Sequence, residues 1–246
     1  MKNNNQPYDI IYEDEYLVAV NKQAGILAVP DRYNPNITNL KQLLNEVYGE
    51  IFVVHRLDKG TSGIMIYAKD AITHKAFNEM FENQEIEKIY HVLVKGIFPK
   101  NEIDIDIPIM PSQGKKGISI PSARGKQSLT KVKVLDRYDR ATMLECNLVT
   151  GRSHQIRVHL STLGFPLYVD IDYGGNESFK ISDFKKRFNL KKNTEERPIL
   201  DRLSMHAFSM RFIHPRTNEE LYVESEYHRD FAAMVQLLGK YNKIYQ

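Results

Sequence analysis

The chain has one cysteine, Cys146, among 246 residues. A single thiol excludes an internal disulfide framework and every four-cysteine zinc site. Set in Met143-Leu144-Glu145-Cys146, it reads as a small core hydrophobe rather than a nucleophile. No apolar run approaches the length of a membrane-spanning helix. Residues 1–6, Met-Lys-Asn-Asn-Asn-Gln, lack the apolar stretch of a signal peptide, so a cytoplasmic protein with no membrane partner is expected. Internal repeats and low-complexity tracts are absent. There is no phosphate-cradling P-loop, no dinucleotide fingerprint and no plausible metal cluster, so neither a cofactor nor a metal is expected.

What is present is globular. Hydrophobic residues make up 42% and charged residues 26%, enough for a sizeable core without metal or disulfide support. The net charge of +3 favours an anionic partner only weakly. Its distribution says more. Between Asn176 and Pro198 lie Lys180, Lys185, Lys186, Arg187, Lys191, Lys192 and Arg197 against four acidic residues, an excess equal to that of the whole chain. Such a cluster is either a solvated helix or loop, or a flap that contacts phosphates and releases counterions; charge alone weighs the two evenly.

Short β-forming runs at 10–12, 16–20 and 26–29 predict a meander of strands. Thr38 or Asn39 caps a predicted helix to Tyr48, with Leu40, Leu43, Leu44 and Val47 at helical spacing. A second helix is predicted over 71–81, a strand over 89–94 and a strand pair over 130–135 and 142–149. Residues 153–163 predict a helix stopped by Gly164. Strands follow at 205–213 and 221–223, and an amphipathic helix closes the chain at 228–238. Strands outnumber helices without βαβ alternation, which predicts an α+β fold with a mostly antiparallel sheet. Residues 108–126 are the least regular, a basic excursion with Gly114-Lys115-Lys116-Gly117 and Arg124-Gly125-Lys126.

Four segments carry chemistry. In His55-Arg56-Leu57-Asp58-Lys59-Gly60-Thr61-Ser62-Gly63, two glycines and small hydroxyl residues mark a tight turn. Asp58 lies between the cations Arg56 and Lys59. A carboxylate there either caps the turn or acts as nucleophile or base. In Thr150-Gly151-Arg152-Ser153-His154-Gln155-Ile156-Arg157-Val158-His159, Arg152 and Arg157 are permanent cations suited to carboxylate or phosphate. His154 and His159 are spaced i, i+5, about 140° apart on a helix, which is unlike a metal-binding pair. Tyr90, in Lys88-Ile89-Tyr90, is either a core aromatic or a ring on which an extruded base stacks. Arg202-Leu203-Ser204-Met205-His206-Ala207, followed by His214-Pro215, completes the set.

In order and in content these segments resemble the RluA family of pseudouridine synthases: an HRLD-x-x-TSG turn, a K-x-Y strand, a TGR-x-HQIR-x-H segment and an R-L-x-L-HA strand. The resemblance, with the opening at Tyr12–Lys22, covers essentially a whole catalytic domain. It implies a pseudouridine synthase fold whose mostly antiparallel mixed sheet, flanking helices and loops form an RNA-binding cleft. One catalytic domain is expected over 1–246, with no separate N-terminal RNA-binding module of the kind many relatives carry. The implied reaction isomerises uridine in ribosomal or transfer RNA, with RNA as partner, no cofactor and a monomeric enzyme.

By the same resemblance Asp58 is catalytic, Tyr90 packs on the uracil, and Arg157 pairs with Asp58, with Arg152 as the alternative for that pairing. Arg56 enters the stack where the base leaves. Met205 lines the pocket. From the basic cluster, Lys185, Lys186 and Arg187 are expected to contact RNA, with His154 a further substrate-contact candidate. The sequence departs from the family pattern at Gln23, usually Pro, at Val169, usually Gly, and at Met205, usually Leu, a swap of similar volume. A glycosidic-bond hydrolase is the rival reading. It would need a second carboxylate, for which Asp170 and Asp172 are the motif-adjacent candidates.

Overall fold

The computed structural model describes residues 7–31, 33–185, 188 and 194–241. Strands β1 (Tyr8–Glu13) and β2 (Leu17–Lys22) precede helix α1 (Leu40–Tyr48). Then come β3 (Phe52–Val53), β4 (Ser62–Ala68), helix α2 (Ala71–Glu82) and β5 (Glu87–Lys95). The chain continues through β6 (Glu102–Asp106), β7 (Ile109–Pro111), β8 (Ser119–Pro121), β9 (Leu129–Tyr138) and β10 (Ala141–Leu148). Helix α3 (Gln155–Thr162), β11 (Met205–Ile213), β12 (Glu220–Glu224) and α4 (Arg229–Tyr241) complete it. This is an α+β fold whose strand pairings are mostly antiparallel.

The chain divides into two compact units, residues 1–88 with 207–226 and residues 89–206 with 227–246. In the first, the strand order is β1-β2-β4-β11, with β3 on β4 and β12 on β11. Strand β4 is buried along its whole length, as a strand covered on both faces must be. Leu17, Ala19, Ile64 and Ile66 pack with Phe77 and Met80 of α2 and with Met210 and Phe212. Helix α1 starts where Asn39 accepts the backbone N–H of Gln42 at 3.0 Å, and α2 starts where Asp70 accepts those of Ile72 and Thr73. Both satisfy donors that a helix start leaves open.

In the second unit the order is β5-β10-β9-β6. Leu93, Tyr138 and Met143 pack there with Tyr168, Phe179, Phe184 and Leu200, and with Phe231, Met234 and Leu238 of α4. Beside these strands β7 and β8 form a separate two-stranded ribbon.

Two local expectations give way. Residues 26–29 form no strand, because their backbone groups are used elsewhere. The buried Lys22 ammonium donates to the carbonyls of Gln23 and Ile26, Gly25 N–H goes to Lys59, and Leu27 O takes Leu40 N–H. Residues 108–126 are a paired hairpin rather than an irregular excursion. Gln23 supplies what a proline lacks: its backbone N–H donates to Pro7 O at 2.9 Å.

Candidate active site

The turn carrying Asp58 is held from three directions. At its start, His55 Nε2 accepts the Ile66 backbone N–H at 2.9 Å, and the ring lies 5.3 Å from that of Phe81. An acceptor nitrogen must be unprotonated. Accordingly, loss of water around the imidazole, and then the charge of Lys88, push the His55 pKa down to about 3. Within the turn, Asp58 O accepts Thr61 N–H at 3.0 Å, and Lys59 O accepts Gly25 N–H at 2.8 Å. At its end, Gly63 has φ +113°, and a Cβ there would lie 2.1 Å from Ala207 O. Only glycine fits so close a backbone approach. Leu57 is buried and Arg56 and Lys59 are exposed, while Asp58 between them is half-buried.

In the second unit Tyr90 sits on β5 opposite Cys146, with 8% of its surface exposed. Met205, at the start of β11, is buried, and its carbonyl lies 3.4 Å from Arg202 Nη1. Helix α3 starts two residues later than expected, at Gln155, because His154 takes a left-handed conformation with φ 57°. A non-glycine residue there is uncommon and needs support from its surroundings. Gln155 supplies it: its Oε1 accepts from Thr150 Oγ1 and Arg152 N, and its Nε2 donates to Leu129 O and Thr130 Oγ1.

Arg157 is buried. Its Nε donates to Asp170 Oδ2 at 2.7 Å and its Nη2 to Asp170 Oδ1 at 2.8 Å and Asp172 Oδ2 at 3.1 Å. The guanidinium also lies over the Tyr173 ring, 4.7 Å from its centroid. The exposed Arg152 donates through Nε to Gln127 O. His154 Nδ1 meets the Tyr173 hydroxyl at 2.9 Å.

His159 does not face outward as a ligand would. Its Nε2 meets Ile107 O and its Nδ1 meets Thr130 Oγ1, and burial lowers its pKa. Val169, the departure before Asp170, is buried and donates its N–H to Ser204 Oγ at 3.1 Å. His214 is structural as well, its Nε2 at 2.9 Å from Asp14 Oδ2.

Lys185 borders a cavity of about 360 Å³ with Asp139, Arg140 and Phe188. Lys186 and Arg187 lie outside the described residues. Tyr173 lies outside the four chemistry-bearing segments of the sequence; its signal there is its place between Asp172 and a Gly-Gly pair. Among the described residues no group of three or more His, Cys, Asp or Glu side chains is placed to hold a metal ion. Among the described residues no helix is long and apolar enough to cross a membrane.

These segments can be set against known proteins. The description RNA pseudouridylate synthase belongs to the family model that matches residues 16–162. The chain is 32% identical to the dual-specificity RNA pseudouridine synthase RluA of Vibrio cholerae over 213 residues, 85% of this chain and 79% of that protein. To the RluA of Vibrio vulnificus it is 32% identical over 235 residues, 92% of this chain and 87% of that one. Ribosomal large subunit pseudouridine synthase D of Zymomonas mobilis matches at 30% over 243 residues, 94% of this chain and 73% of that one. The human RNA pseudouridylate synthase domain containing 4 shares the fold, with a TM-score of 0.69 at 23% identity, covering 94% of this chain and 92% of that one. The fold is thus that of the pseudouridine synthases. The chain belongs to the RNA pseudouridylate synthase family, is of the RluA type, and is an RNA pseudouridine synthase, an isomerase.

Proposed function

We propose that this enzyme converts particular uridines of ribosomal or transfer RNA to pseudouridine through Asp58, Tyr90 and Arg157, after the target base has turned out of its stack. The observation that carries this is the turn 55–63. His55, the carbonyls of Asp58 and Lys59, and the Gly63–Ala207 approach fix its path, while its one carboxylate is left half-buried rather than sealed in. A shaped turn presenting an unsealed carboxylate suits a group that must meet substrate.

The reaction breaks the bond from ribose C1′ to uracil N1, turns the base, and joins C1′ to C5. The C5 proton is lost and N1 gains one, so the product is an isomer and no redox partner enters the balance. Asp58 acts as an anion, by attack or by proton removal. Arg157 is its cationic partner and Tyr90 the surface against which uracil turns. Arg56 fills the gap left in the RNA stack, which offsets part of the few kcal/mol that extrusion costs. Met205 contributes apolar lining. Arg152, His154, Lys185, Lys186 and Arg187 contact the RNA. The enzyme acts as a cytoplasmic monomer built on one catalytic domain. Of the two carboxylates open to a hydrolase, Asp170 is engaged on both oxygens by Arg157, and Asp172 is held by Arg157 and Lys115.

RNA carrying tritium at uridine C5 tests the proposal. The native protein should release tritium without freeing uracil. Asp58→Asn should release none while binding the same RNA with nearly native affinity. Tritium release by Asp58→Asn, with native enzyme excluded from the preparation, would overturn the assignment.

A further inference from the structure

The β7–β8 hairpin pairs over only three positions, Ile109 with Pro121, Met110 with Ile120 and Pro111 with Ser119. Two of the six residues are prolines, which donate no ladder hydrogen bond. So short a ribbon is not stable by itself in water. At its base, Ile109 and Lys126 exchange backbone hydrogen bonds at 3.0 and 2.8 Å. Gly125 is pressed so close to Ile109 that a Cβ would lie 2.6 Å from its backbone. At Ser119 a different tether holds it, and this tether is a single side chain.

Tyr173 Oη accepts the Ser119 backbone N–H at 2.9 Å and lies 3.1 Å from Ser119 O. His154 Nδ1 is also at 2.9 Å. A phenol has one proton and two lone pairs. The amide can only donate and the carbonyl can only accept, so the phenol proton goes to Ser119 O. The second lone pair then takes a proton from His154, which fixes that imidazole as the Nδ1–H form. The Tyr173 carbonyl accepts Ser161 Oγ–H of α3 at 2.8 Å, and its ring supports the Arg157 guanidinium. Beside it, Asp172 bridges Arg157 at 3.1 Å and Lys115 of the hairpin loop at 3.8 Å.

We propose that Tyr173 is a positioning residue for the reaction: its hydroxyl fixes the cationic hairpin relative to Arg157, so that RNA held by the hairpin arrives in register with the catalytic groups. The exposed cations concerned are Lys115 and Lys116 of the hairpin loop and Arg124 and Lys126 just beyond β8. The proposal rests on Arg157 serving the reaction as described above.

Tyr173→Phe removes the hydroxyl and keeps the ring beneath Arg157. Kd and KM for unmodified ribosomal and transfer RNA transcripts should rise about five- to tenfold, as expected for the loss of one or two net hydrogen bonds. The kcat should stay within about twofold, and the salt dependence of log Kd should flatten by roughly one phosphate contact. Tyr173→Leu, which also removes the ring, should lower kcat as well. Unchanged Kd and salt slope in Tyr173→Phe would overturn the proposal. So would a fall in kcat that merely follows a lowered melting temperature, since that is the mark of a structural role. A native protein that releases no tritium defeats the function proposed above, whereas the binding comparison still decides the role of Tyr173.

Discussion

Arg157 and Asp170 meet side by side, Nε on one carboxylate oxygen at 2.7 Å and Nη2 on the other at 2.8 Å, with 5% and 0% of their side chains exposed. Two parallel charge-assisted hydrogen bonds fix a guanidinium in plane as well as in place. Asp172, whose side chain is 40% exposed, adds a third, softer contact.

The two carboxylates therefore differ in what their loss does. Asp170→Asn leaves a buried cation short of its counter-charge, which costs about 3 kcal/mol or somewhat more. Asp172→Asn alters a solvated contact and costs under about 1 kcal/mol. Urea unfolding should show this ranking. In the tritium assay Asp170→Asn should lose kcat more than it gains KM, because the cation assigned to the reaction is then misaligned. Equal stability of the two variants would refute the distinction.

This pairing also shows where sequence is legible and where it is not. Helices α1 and α2 can be read because their signals are local: the Asn39 cap before Leu40, Leu43 and Leu44, and the apolar spacing of Phe77 with Met80. The chemistry-bearing segments could be read because each is contiguous. The partner of Arg157 is not contiguous. In the sequence Asp170 reads only as a possible acid or base, since its pairing needs the bend after α3 that brings residue 170 back to residue 157. Residues 26–29 have strand composition, but Lys22 and Lys59 claim the backbone groups around them. Tertiary demand there overrides β-propensity. In the hairpin, Pro111 and Pro121 argue against strand locally, and part of what holds the ribbon is Tyr173, 54 residues from Ser119.

His55 ties stability to pH. Its folded pKa is about 3 against an ordinary 6.5. The unfolded chain therefore takes up a proton as pH falls below 6.5 while the folded chain resists until about 3. The unfolded form gains throughout that window, so stability is lost as pH falls through it. At pH 4.5 the share of His55 is roughly 3 kcal/mol. His91, lowered to about 4 by burial, acts in the same direction, so native protein alone does not separate the two. Glutamine at position 55 offers a non-titrating oxygen to Ile66 N–H. His55→Gln should be less stable than native at pH 7, through loss of the contact with Phe81, and should recover most of that deficit by pH 4.5. Chemical denaturation at both pH values, followed by circular dichroism, reads the difference. Parallel pH profiles would mean that His55 is not the group responsible.

Lys88 shifts stability with pH in the same direction but in an alkaline window, and can be tested by removing its charge. Burial lowers its pKa from 10.5 to about 8. At neutral pH the folded protein thus holds an ammonium at a cost of roughly 3 kcal/mol, offset by about 1 kcal/mol from its position 5.4 Å from the Phe81 ring centroid. The folded chain releases this proton near pH 8 and the unfolded chain near 10.5. The cost is therefore complete below pH 8 and disappears as pH rises through that interval. Methionine matches the length of the aliphatic stem and carries no charge. Lys88→Met should gain about 2 kcal/mol at pH 7, equivalent to roughly 4–8 °C in melting temperature for a chain of this size. The gain should shrink steadily between pH 8 and 10, where the native lysine is neutral in the folded state. Were the advantage of methionine to stay constant over that range, it would come from packing rather than from the buried charge, and the assignment of Lys88 as a desolvated cation would fail.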